Sequence, residues 1–400
     1  MPDSADAAIQ DPAHVPLRIA LLAGEESGDV LGAPLIEALR ERYPDAQFAG
    51  VVGPRMQAAG CQPMESIDVL SLFGIGEVIA ELPRLFKLRN SLFQRLIDWQ
   101  PDVFIGIDAP SFNLGLEKRL RQAGIPTVHY VSPTVWAWRE GRIKGIRESV
   151  DLMLTLMPFE AEFYREHGVD VRFVGHPLAD ELPLEPDREA ARDALDLAPE
   201  AGKPYVAVLP GSRRSEVGKL ATPFLETMRW LHKRLPDVGF LVPLANAAVR
   251  EIFESAMQGG HYAGLDIKLL DGQSHQAMTA ANAVLLASGT AALEACLLKR
   301  PAVAAYRLSP FTHWLLRGIG MLKVANVTLP NHLATRPIVP EYIQDAVSPE
   351  ALGPHLYRWL TRPWSADPIV AECVSIHRQL RQDASHHAAE AVADLLEKHT

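Results

Sequence analysis

Cysteine is scarce in this chain of 400 residues: three thiols, at Cys61, Cys296 and Cys373, with no C-x-x-C pair. An odd, scattered set fits neither a zinc site nor a disulfide framework, and each thiol reads as a small core residue in a reducing cytosol. No apolar run reaches the roughly 20 residues needed to cross a bilayer. Excess positive charge is lacking too. The net charge is −10 and the pI about 5.8, which argues against nucleic acid as a partner. The glycine turns are not spaced G-x-G-x-x-G, and none runs on into the Lys-Ser/Thr of a P-loop. Nor does a D-x-D pair occur to clamp a metal-bound diphosphate. Residues 1–16, MPDSADAAIQDPAHVP, carry no basic segment and read as a loose acidic tail rather than a signal peptide.

The composition is that of an ordinary globular protein, 48% hydrophobic and 22% charged, and the length suits about two domains. Short apolar runs recur along it: RIALLA (18–23), FAGVV (48–52), DVFIGI (102–107), TVHYV (127–131), DLMLTL (151–156) and VRFVG (171–175). Amphipathic stretches such as GAPLIEALRER (32–42) and LGLEKRLRQAG (114–124) separate them. The proline-dense, acidic stretch HPLADELPLEPD (176–187) interrupts this alternation. It resumes with YVAVLPG (205–211), VGFLVP (238–243), DIKLL (266–270), AVLLA (283–287) and PAVAAY (301–306). Apolar strands alternating with helices predict parallel sheets covered on both faces. The expected architecture is α/β, two Rossmann-like doubly wound domains facing across a cleft. They are placed at 17–180 and 181–345, with C-terminal helices over 346–400 packing back toward the first domain.

In such sheets ligands sit beyond the carboxyl ends of the strands, where helix N-termini present free N–H groups. Three turns qualify: LLAGEESGDVLGAP (21–34), VLPGSRRSEV (208–217) and LLASGTAALEA (285–295). In the last, Ser288 suits an N-cap and leaves the amides of Gly289, Thr290 and Ala291 for an anion. Glu294 has no capping duty and no basic residue at i+4, where Leu298 stands. It is either a solvated acid or an acceptor for the paired hydroxyls of a ribose. Arg213 either pairs with Glu216 at the surface or holds phosphate oxygens. Together these turns suggest a nucleoside diphosphate in the second domain. With no D-x-D pair, helix dipoles and arginine rather than a metal would stabilise the leaving group, and no cofactor is required.

In the first domain Asp108 ends the buried run FIGID, where it can deprotonate or orient a sugar hydroxyl, or merely cap the helix that Pro110 begins. Glu25, Ser27, Gly28 and Asp29 occupy the first glycine turn, with Ser27 or Asp29 as an N-cap the plainer reading. HYVSPTVWAWREGRIK (129–144) offers aromatics for a sugar pocket or an interdomain seam, and His129 reads equally as a core histidine. Two segments pair apolar with basic residues: VLSLFGIGEVIAELPRLFKLRNSLF (69–93), with Leu70, Leu72, Phe73 and Ile75, and PFTHWLLRGIGMLK (310–323), with Phe311 and Trp314. Both suit the surface of an anionic membrane as well as they suit a core-facing helix.

Taken in order, AGEESGD, GVVGPRM, FIGIDAPSFN, HYVSPTVWAWREGRI, FVGHP, LPGSRRSEV, SGTAALEA and VTLPNHLA resemble the lipid-A-disaccharide synthase family from about Arg18 to Ile343. The resemblance implies a GT-B glycosyltransferase that joins UDP-2,3-diacylglucosamine to 2,3-diacylglucosamine 1-phosphate with inversion. The products would be UDP and a β-1,6 disaccharide, made in the cytoplasm at the inner face of the inner membrane. It implies that Asp108 acts as base, Arg213 attends the diphosphate, Glu294 binds ribose, and Asn331 contributes to activity. Lipid at the membrane surface would be a partner, and pairing into a homodimer is left open. Glu26, Val52 and Ser111 depart from the family pattern, which bears on the acceptor side. Two rivals are a UDP-GlcNAc 2-epimerase, which has no use for the apolar-basic segments, and a non-catalytic UDP-sugar sensor, which has no use for Asp108.

Overall fold

The β-branched and leucine-rich runs form the strands, because only a doubly covered parallel sheet buries both of their faces. The computed structural model describes residues 16–71, 78–133, 140–197, 202–258, 262–287, 289–307 and 327–399. Leu72, Phe73, Ile75, Ser288, Phe311 and Trp314 lie outside the described residues. The chain divides into two units, residues 1–177 with 383–400, and residues 178–382.

The first unit holds β1 (Arg18–Ala23), β2 (Gln47–Val52), β3 (Gln62–Ser66), β4 (Val103–Ile107), β5 (Thr127–Tyr130), β6 (Leu152–Thr155) and β7 (Val171–Phe173). They form one sheet in the order β3-β2-β1-β4-β5-β6-β7, with every pair parallel. Its helices are α1 (Glu26–Arg42), α2 (Pro54–Ala58), α3 (Val78–Trp99), α4 (Pro110–Gln122), α5 (Ile143–Ser149) and α6 (Pro158–Glu166). The strand order reverses between β1 and β4. Ile19, Leu21, Ile105 and Val128 at the middle of this sheet are fully buried.

The second unit repeats the plan with β8 (Tyr205–Leu209), β9 (Gly239–Leu244), β10 (Asp266–Asp271), β11 (Ala283–Ala287), β12 (Ala302–Tyr306) and β13 (Glu341–Ile343). Their order is β10-β9-β8-β11-β12-β13, again parallel throughout, with the reversal between β8 and β11. The helices include α7 (Arg188–Ala194), α8 (Arg214–His232), α9 (Ala247–Gln258), α10 (Ser274–Ala280), α11 (Thr290–Leu297), α12 (Pro349–Thr361) and α13 (Asp367–Leu380), with a short one at Leu329–Leu333. Val206, Val208, Phe224, Phe240 and Leu285 pack as the centre of its core.

Three features differ from the sequence reading. The strands β3 and β13 fall outside the apolar runs; each lies at a sheet edge and consists of short, half-polar chain, QPMES and EYI. Helix α1 starts at Glu26 rather than residue 32, so most of the first glycine turn is helical, with Gly28 and Gly32 buried. The stretch from 346 is not one block. Helices α12 and α13 pack on α8 and α11 of the second unit, and only α14 (Ala384–His399) packs on α1 of the first. There His386 meets Glu41 at 3.1 Å and Arg172 meets Asp394 at 2.7 Å. Among the described residues no helix is long and apolar enough to cross a membrane.

Candidate active site

Beyond the carboxyl ends of β8, β9 and β11 lies a cavity of about 410 Å3, walled by Leu209, Pro243 and Ala287 at the strand ends. Gly211, Ser212, Arg213 and Glu216 close it from the start of α8, and Gly289, Thr290, Ala291 and Glu294 from α11. It therefore opens at the reversal of strand order, where two helix N-termini converge, and that is where a doubly wound sheet binds anions. Gly211 has φ +117, and a Cβ on it would come within 2.8 Å of the Glu216 side chain, so the PGSRR turn requires glycine there. The Glu216 carboxylate accepts the N–H groups of Ser212 and Arg213, each at 3.3 Å. It also pairs with the Arg213 guanidinium at 3.4 Å. Of the two readings of Arg213, the surface pair with Glu216 is made; the side chain also lines the cavity and is 74% exposed.

Glu294 is not in purely apolar company. The His275 ring, at the start of α10, lies 3.3 Å from its carboxylate. The hydrogen bond to Glu294 pushes the His275 ring above its ordinary value; burial opposes this, while the charges of Glu294 and Glu181 add to it. No local spacing connects positions 275 and 294, so this partner became visible only in the folded unit. A ring whose folded value is raised contributes stability below its unfolded value near 6.5, and that contribution is lost as pH rises through the folded value. Since 39% of the ring is exposed, solvent screens the pair. His275→Gln is expected to lower the melting temperature by about 1–3 °C at pH 5.5 and by less than about 1 °C at pH 9. Thermal unfolding of the two proteins at both pH values measures this, and an equal gap at both would show that the pair contributes nothing.

In the first unit Asp108 stands where its sheet reverses order, directly after β4. Asp108 and Ala109 both have left-handed backbone, φ 53 and 43, and nearby Val131 has φ 81. Non-glycine residues held so cost on the order of 1–3 kcal/mol each, and such strain gathers at functional sites. The Asp108 N–H donates to the Tyr130 carbonyl at 2.8 Å. Among the described residues its half-buried carboxylate accepts no hydrogen bond. An acid so displayed, on a strained turn at a strand tip, is available to a substrate hydroxyl. Glu25 precedes α1 as its exposed cap residue, its carbonyl accepting from Gly28 and Asp29, and Ser27 is exposed beside it.

Four other candidates have interior duties. Asp29 is 1% exposed, and its carboxylate accepts the N–H groups of Gly53, Arg55 and Met56 at 2.9–3.0 Å. It anchors the start of α2. His129 is fully buried and meets the equally buried Glu117 of α4 at 2.7 Å; burial pushes the Glu117 carboxyl up, and the histidine opposes this. The core reading of His129 is the correct one. Asn331 is 5% exposed. Its Oδ1 accepts from Ile338 and Val339 at 2.8 and 2.9 Å, and its Nδ2 donates to the Val339 carbonyl and Glu341 at 2.7 and 2.8 Å. Its amide thereby ties the backbone at Ile338 and Val339 to the Glu341 carboxylate. Leu70 is 9% exposed and packs inward. Arg89 of the same apolar-basic segment lies over the Phe86 and Phe112 rings and donates to the Ser111 carbonyl at 2.9 Å, tying α3 to α4.

Two parallel, doubly wound units in tandem, the second with a cavity at its switch point where two helix N-termini converge, define a protein of the GT-B fold. Solved structures agree at the level of fold. The chain is similar to a UDP-N-acetylglucosamine 2-epimerase from Listeria monocytogenes (TM-score 0.62, 14% identity, 96% of this chain and 97% of that one). It is likewise similar to the glycosyltransferase of kitacinnamycin (TM-score 0.61, 15% identity, 96% and 100%). The family is given by sequence: the profile of the lipid-A-disaccharide synthetase family matches residues 19–393. The lipid-A-disaccharide synthase of Pseudomonas putida (strain GB-1) is 53% identical over 95% of this chain and 98% of its own length. That of Xanthomonas campestris pv. campestris (strain 8004) is 48% identical over 95% and 86%. The chain belongs to the lipid-A-disaccharide synthetase family and is a glycosyltransferase.

Proposed function

We propose that the chain transfers the diacylglucosaminyl group of UDP-2,3-diacylglucosamine to the 6-hydroxyl of 2,3-diacylglucosamine 1-phosphate, with inversion at the anomeric carbon. The observation that carries this is the cavity of the second unit, where Gly289, Thr290, Ala291, Arg213 and Glu294 converge. The diphosphate rests against the amides at the start of α11 and beside Arg213, and Glu294 accepts the ribose hydroxyls. Asp108 takes the proton of the acceptor 6-hydroxyl. The freed 6-oxygen of the acceptor attacks the anomeric carbon as the bond to the diphosphate oxygen breaks, and UDP leaves with the electron pair. Helix dipoles and the guanidinium meet the negative charge that grows on the departing diphosphate. Glu25 and Ser27, exposed near the same sheet end, face the acceptor sugar.

Both substrates carry acyl chains, so the enzyme works at a membrane surface, on the inner face of the inner membrane. The apolar-basic segments at 69–93 and 310–323 supply that contact. Incubating the purified protein with both diacyl substrates tests the reading, with UDP and disaccharide followed together by chromatography. Equimolar release of both is expected. Epimerisation of UDP-GlcNAc without disaccharide would overturn it in favour of the epimerase, and UDP-sugar binding without turnover would favour the sensor.

A further inference from the structure

Resting on Asp108 as the acceptor's base, we infer that Asn113 and Gly24 are positioning residues that lock the strained turn carrying Asp108. Two successive left-handed residues are unusual, and Ala109 has no side-chain polar group to ease its conformation. Left alone, the β4–α4 turn would relax and swing the carboxylate with it. Two contacts oppose this. Asn113, fully buried in the first turn of α4, directs Nδ2 at the carbonyl oxygens of Asp108 (2.8 Å), Ile107 (3.3 Å) and Leu22 (3.5 Å). That one amide group stitches the ends of β1 and β4 together at the reversal point of the sheet. Its Oδ1 is buried without a partner among the described residues. An apolar side chain would avoid that cost, and the Nδ2 donor is what only the amide supplies.

The second contact is a close approach. A Cβ at Gly24, just after β1, would lie 2.2 Å from the Cβ of Ala109. The turn can occupy its observed place only while position 24 has no side chain. Residue 24 after β1 thus bears on Ala109 and residue 113 of α4 on the carbonyls of Ile107 and Asp108, and neither is offered as a group that touches substrate.

The test is steady-state transfer kinetics on the full chain. Asn113→Ala is expected to lower kcat by about 10²-fold, with KM for both substrates changed less than about twofold. Gly24→Ala should show the same pattern, and Gly24→Ala/Ala109→Gly should recover kcat to within about threefold of wild type, because glycine clears the clash and accepts φ 43 freely. UDP affinity, read by calorimetry, stays at the wild-type value in all of them. A merely structural role would lower melting temperature and yield but leave kcat per folded molecule intact. Asn113→Ala and Gly24→Ala at wild-type kcat, while Asp108→Ala is inactive, would overturn the lock and leave the base standing. Failure of the double variant to recover while folding normally would also overturn it. Full kcat in Asp108→Ala would instead remove the base reading on which the lock rests.

Discussion

Asp108→Ala is expected to lower the transfer rate by about 10²–10⁴-fold, the range over which a positioned general base contributes, while UDP affinity changes by less than about twofold. The size of the effect follows from where the acid stands. It ends β4 at the point where the strand order of the first sheet reverses, on left-handed backbone, with no hydrogen bond to its carboxylate among the described residues. Nothing else in the described part of that turn, Gly24 to Asp29 and Asp108 to Ser111, offers a free carboxylate except Glu25 and Glu26, which are exposed. The selectivity follows from the division of the chain, because every residue of the cavity lies within residues 178–382. Asp108→Asn sharpens the test, since asparagine also tolerates left-handed backbone and removes only the basic oxygen. Comparable losses in both variants, with binding preserved, identify the proton acceptor. Wild-type turnover in either would assign the proton elsewhere.

Asn331→Ala is expected to cost about 2–5 kcal/mol of stability, because it strands the buried N–H groups of Ile338 and Val339 and frees the Val339 carbonyl. For a unit of this size that corresponds to a fall in melting temperature on the order of 10 °C. Glu341 shares the network: it accepts from Val327 and Thr328 as well as from Asn331. The strand β13 and the short helix Leu329–Leu333 are consequently held to one another through this one amide and one carboxylate. Well below the transition, turnover per folded molecule should stay within about threefold of wild type. Thermal unfolding together with active-site-normalised kinetics separates the two roles. A variant that melts like wild type but turns over slowly would return Asn331 to the substrate.

Why some side chains could be read in advance and others could not comes down to the range of the interactions that place them. Arg213, Gly289, Thr290 and Glu294 sit within a few residues of a strand end, and strand-turn-helix geometry alone directs such residues to the carboxyl edge of the sheet. His275 and Asn113 join the sites through partners on other elements, and nothing in their local spacing announces it. Asp29, His129 and Asn331 stand in segments that look like site motifs. Yet burial made each find partners inside, because an unpaired polar group in the interior costs more than the site gains.

The order of apolar and amphipathic segments determines two doubly wound sheets and which turns stand at the carboxyl ends of their strands. These are consequences of hydrophobic period and backbone chemistry, which act over a few residues. Only tertiary packing decided which polar groups remained free at those tips and which were drawn into the core. It decided too that Glu294 has His275 as its neighbour and that Asp108 is held on strained backbone between Gly24 and Asn113. Those outcomes depend on close approach between residues far apart in the chain, and distance in space is not written in sequence order.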